Sequence, residues 1–376
     1  MAAEIGRYVK QPNGFKAFTP SKFPPTVRIE LIGKTERLYS AALRSLGKLD
    51  GITHLLPDID FFILMYVRKE AAHSSQIEGT KATMLDSLRA EVEPVSGADS
   101  DVDDIVHYVK AMNYGLKRLE EFPLSLRFIR EVHGILMKDG RADNNATPGE
   151  FRTSQNWIGG HALSTAHYVP PAIPDMNRSL GDLENFLSKE NDFPPLIKMA
   201  LAHAQFETIH PFNDGNGRTG RLLTTFYLCR EKILERPVLY LSEYLKKHRK
   251  AYFDLLDRYH DDGDIVSWLN FFLEGVDTVA TQAIETCGKV TALRERDIAR
   301  MQNLGRSAER GTLVLKELFR QPVATAKTIE KWTGLTRVNA NVLLKKFVTL
   351  GILEQVNKKE TYARSFIYRD YVKIFT

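Results

Sequence analysis

The sequence is poor in several things that would have settled its class at once. Only two cysteines, Cys229 and Cys287, occur in 376 residues. Their separation fits neither a metal site nor a redox pair, so no disulfide framework is expected and a cytoplasmic location is. No apolar run approaches a membrane span, since FFILMYV at 61–67 is too short. The first residues, MAAEIGRYVKQPNGF, lack the apolar stretch of a signal peptide. A membrane partner is therefore not expected. A strong charge of one sign is also missing from most of the chain. The total is +5, yet residues 306–376 alone hold fourteen basic and six acidic side chains, a balance of +8. The remainder is slightly acidic. This asymmetry points to an anionic partner, or merely a solvated basic surface, for the C-terminal segment.

What is present is an ordinary globular composition, 43% hydrophobic, in a chain long enough for two or three cores. Its densest stretch is His210 to Arg221, HPFNDGNGRTGR. Glycines at 215, 217 and 220 let backbone N–H groups approach a ligand closely. Leu222, Leu223, Phe226 and Tyr227 follow at helical spacing, so the loop opens a helix whose N-terminus can bind an anion. Arg218 and Arg221 are three apart in the first turn and share a face. A base, an acid and two cations around an anion site suggest phosphoryl or nucleotidyl transfer. Gly215, Gly217 and Gly220 also match a dinucleotide fingerprint, but that needs a preceding strand, and PPLIKMALAHAQFETI reads as a helix. A P-loop needs GK[ST], which does not follow these glycines.

The same twelve residues resemble the Fic signature HPFx[DE]GNGRxxR at all nine fixed positions. Upstream, Ser74, Glu78 and Gly79 in SSQIEG resemble the inhibitory motif of Fic proteins that carry an N-terminal inhibitory helix. The simpler reading of Glu78 is an exposed acid at a helix C-terminus. Between them, RTSQNWIGGHALSTAHYVPP (152–171) reads as a β-hairpin, the only good one in the first 300 residues. By position it resembles the Fic flap, which docks a target segment as an added strand; the alternative is an ordinary surface hairpin. Trp157, Ile158, Gly159, Gly160 and His161 are its candidate docking residues.

The fold this resemblance implies is an all-α Fic fold with a β-hairpin flap. The expected boundaries are 1–95 for an N-terminal region with the inhibitory helix and 96–290 for the catalytic domain. A linker at 291–305 and a small α+β winged-helix domain at 306–376 follow. Residues 1–25, rich in Pro and Gly, read as an extended arm. Residues 26–50 read as a helix with Ile29, Leu31, Ile32, Leu38, Leu43 and Leu46 inward. A second helix starts at Pro57 and Asp58, another is capped by Ser100 or Asp101, and residues 139–152 read as a loop. Residues 264–290 read as one long amphipathic helix. In the C-terminal segment three short helices precede ILEQV and RSFIYR, with Lys358, Lys359 and Glu360 at the turn. Thr336 caps the second helix of the pair, so Arg337, Asn339, Asn341 and Lys345 are candidates for a DNA or RNA groove. A domain that only packs or dimerises is the competing reading.

The implied activity is transfer of AMP from ATP to a Ser, Thr or Tyr hydroxyl of a protein, with the enzyme itself among the targets and a homodimer among the partners. His210 is the candidate base. Asp214 is the candidate ligand for Mg²⁺, which favours one or two carboxylates plus phosphate oxygens. Backbone N–H groups at Gly215, Asn216 and Gly217, and the side chains of Arg218 and Arg221, are candidates for the phosphates. Asn213 and Asn216 fix the loop or touch the α-phosphate, and Phe212 anchors the loop in the core. Tyr252 aligns with a family tyrosine near the adenine, although a core tyrosine is the simpler reading. Glycine at 215 keeps the form that transfers AMP rather than phosphate; phosphocholine and UMP transfer stay open. Glu78, paired with Arg221, is expected to act as a brake, or to orient water for AMP removal. A transcriptional regulator whose Fic part only senses nucleotide is the alternative from a different class.

Overall fold

A computed structural model describes residues 4–376 apart from 13, 27–28, 55, 57–58, 92–99, 139–146, 190–191 and 357–363. The expected helix start at Pro57 and Asp58, most of the expected loop at 139–152, and the turn holding Lys358, Lys359 and Glu360 lie outside the described residues. The described chain is mostly helical with two small antiparallel sheets.

The extended arm expected at the N-terminus is instead a hairpin of β1 (Gly6–Lys10) and β2 (Lys16–Pro20), in register from Gly6 opposite Pro20 to Lys10 opposite Lys16. Its inner side chain, Phe18, is buried, and the Phe18 N–H donates to the Val169 carbonyl at 2.9 Å. Burial of that ring and the strand pairing override the Pro and Gly composition. Helix α1 (Gly33–Thr53) begins seven residues later than the 26–50 reading; Ile32, placed inward there, is exposed.

Helices α2 (Ile59–Ile77), α3 (Met84–Ala90), α4 (Ser100–Arg118) and α5 (Leu126–Leu136) follow. Ser125 caps α5 by accepting from the Phe128 N–H, and Thr83 with Asp86 closes a capping box on α3. Next come α6 (Ile173–Ser188), α7 (Pro195–Ile209) and α8 (Asn216–Arg230). Helices α7 and α8 are buried on nearly every side, as helices at the centre of a core are. Helices α9 (Ser242–Lys247), α10 (Arg249–Asp262) and α11 (Ile265–Met301) close the domain. In α11 the Trp268 indole N–H donates to the Ala200 carbonyl of α7 at 2.9 Å, which ties the longest helix to the central pair.

Helix α11 runs through most of 291–305, where a linker was expected, and passes into a 3₁₀ turn over Gln302–Ser307. Beyond it lie α12 (Ala308–Arg320), β3 (Val323–Thr325), α13 (Ala326–Thr333), α14 (Arg337–Thr349), β4 (Glu354–Gln355), β5 (Ser365–Ile367) and α15 (Arg369–Lys373). The sheet order is β3-β5-β4, with Ile367 opposite both Val323 and Glu354. Thr336 caps α14 by accepting from the Asn339 N–H. No helix among the described residues is long and apolar enough to cross a membrane.

Candidate active site

The site lies where α7 ends and α8 begins. His210 closes α7 in a left-handed conformation (φ 47°), uncommon for a residue with a Cβ and typical of functional loops. The loop is then pinned from inside. Asn216 accepts from the Phe212 N–H and donates to the Phe212 carbonyl, both at 2.8 Å. Its side chain is therefore a loop clamp, the first of the two roles expected for it. Phe212 is buried and stacks on His133 of α5, with ring centres 3.6 Å apart. His133 Nδ1 accepts from the Gly149 N–H, so its proton sits on Nε2 and is donated to the Asp214 carbonyl at 3.0 Å. Gly215 starts α8 with φ 76°, where an added Cβ would lie 2.5 Å from Met137 Sδ.

The cations converge on the first turn of α8, each with its own partner. Arg218 is buried and bonds Asp104 of α4 at 3.0 Å; its guanidinium is 3.6 Å from Asp214. Arg221 is also buried. It donates to Ser74 Oγ (2.8 Å), the Ser74 carbonyl (3.0 Å) and Glu78 Oε1 (2.7 Å) at the end of α2. The Glu78 carboxylate sits directly over the helix start: a Cβ on Gly217 would meet its Oε1 at 2.2 Å. Burial alone would raise the Glu78 pKa, but Arg221, then Arg218 and His210, outweigh it and hold the carboxyl below its usual range. An anion thus occupies the helix N-terminus, the place where a phosphate binds best.

Burial pushes the His210 imidazole down to about 4, with Glu78 opposing, so it is neutral at pH 7. Its Nδ1 has no hydrogen-bond partner among the described residues. Asp214 is largely exposed, and its Oδ1 accepts from the Gly215 N–H at 2.6 Å. No group of three metal-ligating side chains occurs among the described residues. A single open carboxylate nevertheless suits Mg²⁺, which takes most of its remaining ligands from water and phosphate. Asn213 is exposed on the same loop. Tyr252 is buried, and its hydroxyl is 2.9 Å from His203 Nε2, as the core reading expects.

The flap is anchored but is not the regular hairpin expected. Ile158 and Tyr168 form an isolated antiparallel bridge, and Val169 turns its carbonyl to β2. Gly159 and Gly160, both at positive φ, take the chain out of strand geometry after one rung. Trp157 and His161 are exposed.

Residues 36–117 match the Fic/DOC family N-terminal region, and residues 123–228 match the Fic/DOC family. The chain belongs to the Fic/DOC family. It is 33% identical over 168 residues to a protein adenylyltransferase Fic of Aedes aegypti, covering 44% of this chain and 30% of that one. It is 31% identical over 209 residues to the Drosophila grimshawi protein of the same name, covering 54% and 40%. The chain thus spans less than half the length of the curated relatives it matches. Among solved structures, a Fic family protein from Desulfovibrio desulfuricans G20 aligns over 90% of this chain and 97% of its own, at TM-score 0.57 and 18% identity. A Fic domain containing signaling protein from Bacteroides thetaiotaomicron aligns over 68% and 97%, at TM-score 0.52 and 21% identity. At those identities the likeness is one of fold.

Several residues of this Fic site escaped the sequence reading. Asp104 neutralises Arg218 from 114 residues away. Arg152 donates to the His210 carbonyl (3.1 Å) and Asn156 to the Phe212 carbonyl (2.9 Å), bolting the flap to the loop. Glu207, one helical turn before His210, lies 4.0 Å from His203 Nε2, and its buried Oε1 has no hydrogen-bond partner among the described residues. Burial raises its carboxyl to about 7, with Arg221 opposing and Glu78 adding to the rise. The i, i+3 spacing of Glu207 and His210 was the one available signal for it.

Proposed function

We propose that this protein transfers AMP from ATP to a hydroxyl side chain of a protein, and that Glu78 restrains the transfer. The observation that carries the reading is the filled anion site: the Glu78 carboxylate lies over the N-terminus of α8 and on the buried Arg221, beside His210. The relatives named protein adenylyltransferase Fic support the group transferred. With Glu78 withdrawn, Arg221 and the N–H groups at Gly215, Asn216 and Gly217 receive phosphate oxygens. His210 takes the proton of the incoming hydroxyl, whose oxygen bonds to the α-phosphorus as the bond to the bridging oxygen of pyrophosphate breaks. Asp214 would hold Mg²⁺, which supplies positive charge against the departing pyrophosphate. Arg218 orders the loop through Asp104 and adds positive field. A target segment docks along the exposed Trp157–His161 stretch of the flap.

ATP labelled at either the α- or the γ-phosphate tests this. Glu78→Gly protein should retain the α-label and lose it when His210→Ala is added. Retention of the γ-label, or of neither label by this chain and by an added panel of candidate protein targets, rejects the reading.

A second activity is proposed for residues 306–376. Helices α12, α13 and α14 with a three-stranded antiparallel sheet suit a winged helix, with α14 presented to duplex DNA. Asn339, Lys345 and the apolar Val338 and Val342 are exposed on α14, while Arg337 pairs with Glu330 at 3.2 Å. A mobility shift that weakens steeply with salt supports it; no shift at low salt rejects it.

A further inference from the structure

The helix that carries the brake is gripped at its far end by the C-terminal domain. Every fourth residue of α2, and then the residue just past it, makes the decisive contacts: Phe62, Tyr66, Glu70, Ser74 and Glu78. Such i±4 rows form one winding ridge. At the start of the ridge, Phe62 and Tyr66 stack with ring centres 4.5 Å apart. Phe375 packs on both, at 6.2 and 5.6 Å, the second edge-on. Phe375 is backed by Tyr371 of α15 at 5.2 Å, and Tyr371 by Phe319 of α12 at 4.8 Å. At mid-ridge, buried Glu70 accepts from the Tyr108 hydroxyl at 3.0 Å and the Ser242 N–H at 3.1 Å. At the other end, Ser74 and Glu78 hold Arg221. With a rise of 1.5 Å per residue, about 24 Å of helix joins the two ends.

The C-terminal seat is imperfectly filled. The Tyr371 hydroxyl and Arg68 Nη1 are both buried with no hydrogen-bond partner among the described residues. A cavity of about 20 Å³, room for one water, is bounded there by Phe61, Phe62, Phe319 and Tyr371. Unsatisfied polar groups and a void weaken a contact relative to a filled core. A contact of that kind has an alternative arrangement within reach, as a two-state coupling element requires.

We propose that the C-terminal domain sets the brake: Tyr371 and Phe375, seated on Phe62 and Tyr66, hold α2 in the position that keeps Glu78 on Arg221, and unseating them releases the site. This rests on the reading of Glu78 as a restraint. It assigns the basic domain a regulatory role in which a ligand that prefers the unseated arrangement activates transfer.

The test is incorporation of α-labelled ATP by the full chain carrying Phe375→Ala, Glu78→Gly, or both, with Phe375→Leu as a milder variant that preserves more of the packing. Phe375→Ala should raise labelling about five- to thirtyfold, within the usual range of coupling between sites, and Phe375→Leu by less. The double variant should match Glu78→Gly alone, because the seat acts only through Glu78. If Glu78→Gly labels strongly but neither change at 375 does, or if the effects multiply, the coupling is wrong while the brake stands. If Glu78→Gly itself gives no rise, both fall. Should Phe375→Ala not fold, Phe375→Leu decides by the same criteria.

Discussion

Replacing Glu78 separates charge from bulk at the anion site. The Glu78–Arg221 contact is 2.7 Å long, and the Glu78 side chain is 40% exposed. A unit-charge pair near 4 Å is worth about 4 kcal/mol at an effective dielectric of about 20. Solvent screening of a carboxylate this exposed halves that, to about 2 kcal/mol. A nucleotide must displace this pairing before its own phosphate can use Arg221. Removing only the charge, in Glu78→Gln, should therefore improve apparent ATP affinity roughly thirtyfold. The amide still fills the space over Gly217, so Glu78→Gly should exceed it. Initial rates of α-label incorporation at sub-saturating ATP give the comparison. If Glu78→Gln stays as slow as the parent while Glu78→Gly is fast, the obstruction is steric and the electrostatic reasoning is wrong.

Three further outcomes follow from the same geometry. Asp104→Asn leaves the buried Arg218 guanidinium without its counter-charge, so stability should fall by about 3 kcal/mol; chemical denaturation that shows no change would mean Arg218 is paired elsewhere. Glu207 has a folded-state pKa raised to about 7, so the folded chain binds more protons than the unfolded one between roughly pH 4.5 and 7, and stability declines as pH rises through that window. Glu207→Gln should remove that decline, gaining up to about 3 kcal/mol over the parent at pH 8 and little at pH 4.5; parallel pH–stability curves would refute it. His210, held near 4, is already the free base at neutral pH, so kcat of the Glu78→Gly protein should be flat from pH 6 to 8, whereas half-activity near 6.5 would point to an ordinary, solvated imidazole.

The parts of this molecule written locally were legible. The loop at 210–221 packs its chemistry into consecutive residues, and the caps Ser125 and Thr336 announce their helices one residue ahead. The N-terminal hairpin was misread because Pro and Gly content was taken as the sign of an extended arm, whereas the Gln11 N–H donates to the Phe15 carbonyl and closes the two strands. Helix α3 has seven residues, too few to show a 3.6-residue period. The flap kept its place but not its regularity, since two successive glycines at positive φ end the pairing after Ile158. Asp104 and Arg152 were invisible for a different reason. Their partners lie 114 and 58 residues away, and only the packing of α4 and of the flap segment against the loop brings them in.

The most direct test is the intact mass of the Glu78→Gly protein after incubation with ATP and Mg²⁺, beside the same protein carrying His210→Ala. Gain of one adenylate by the first and none by the second is the expected result. Gain of a phosphate, or an unchanged mass for both alongside an unmodified panel of candidate protein targets, would contradict nucleotidyl transfer at this loop.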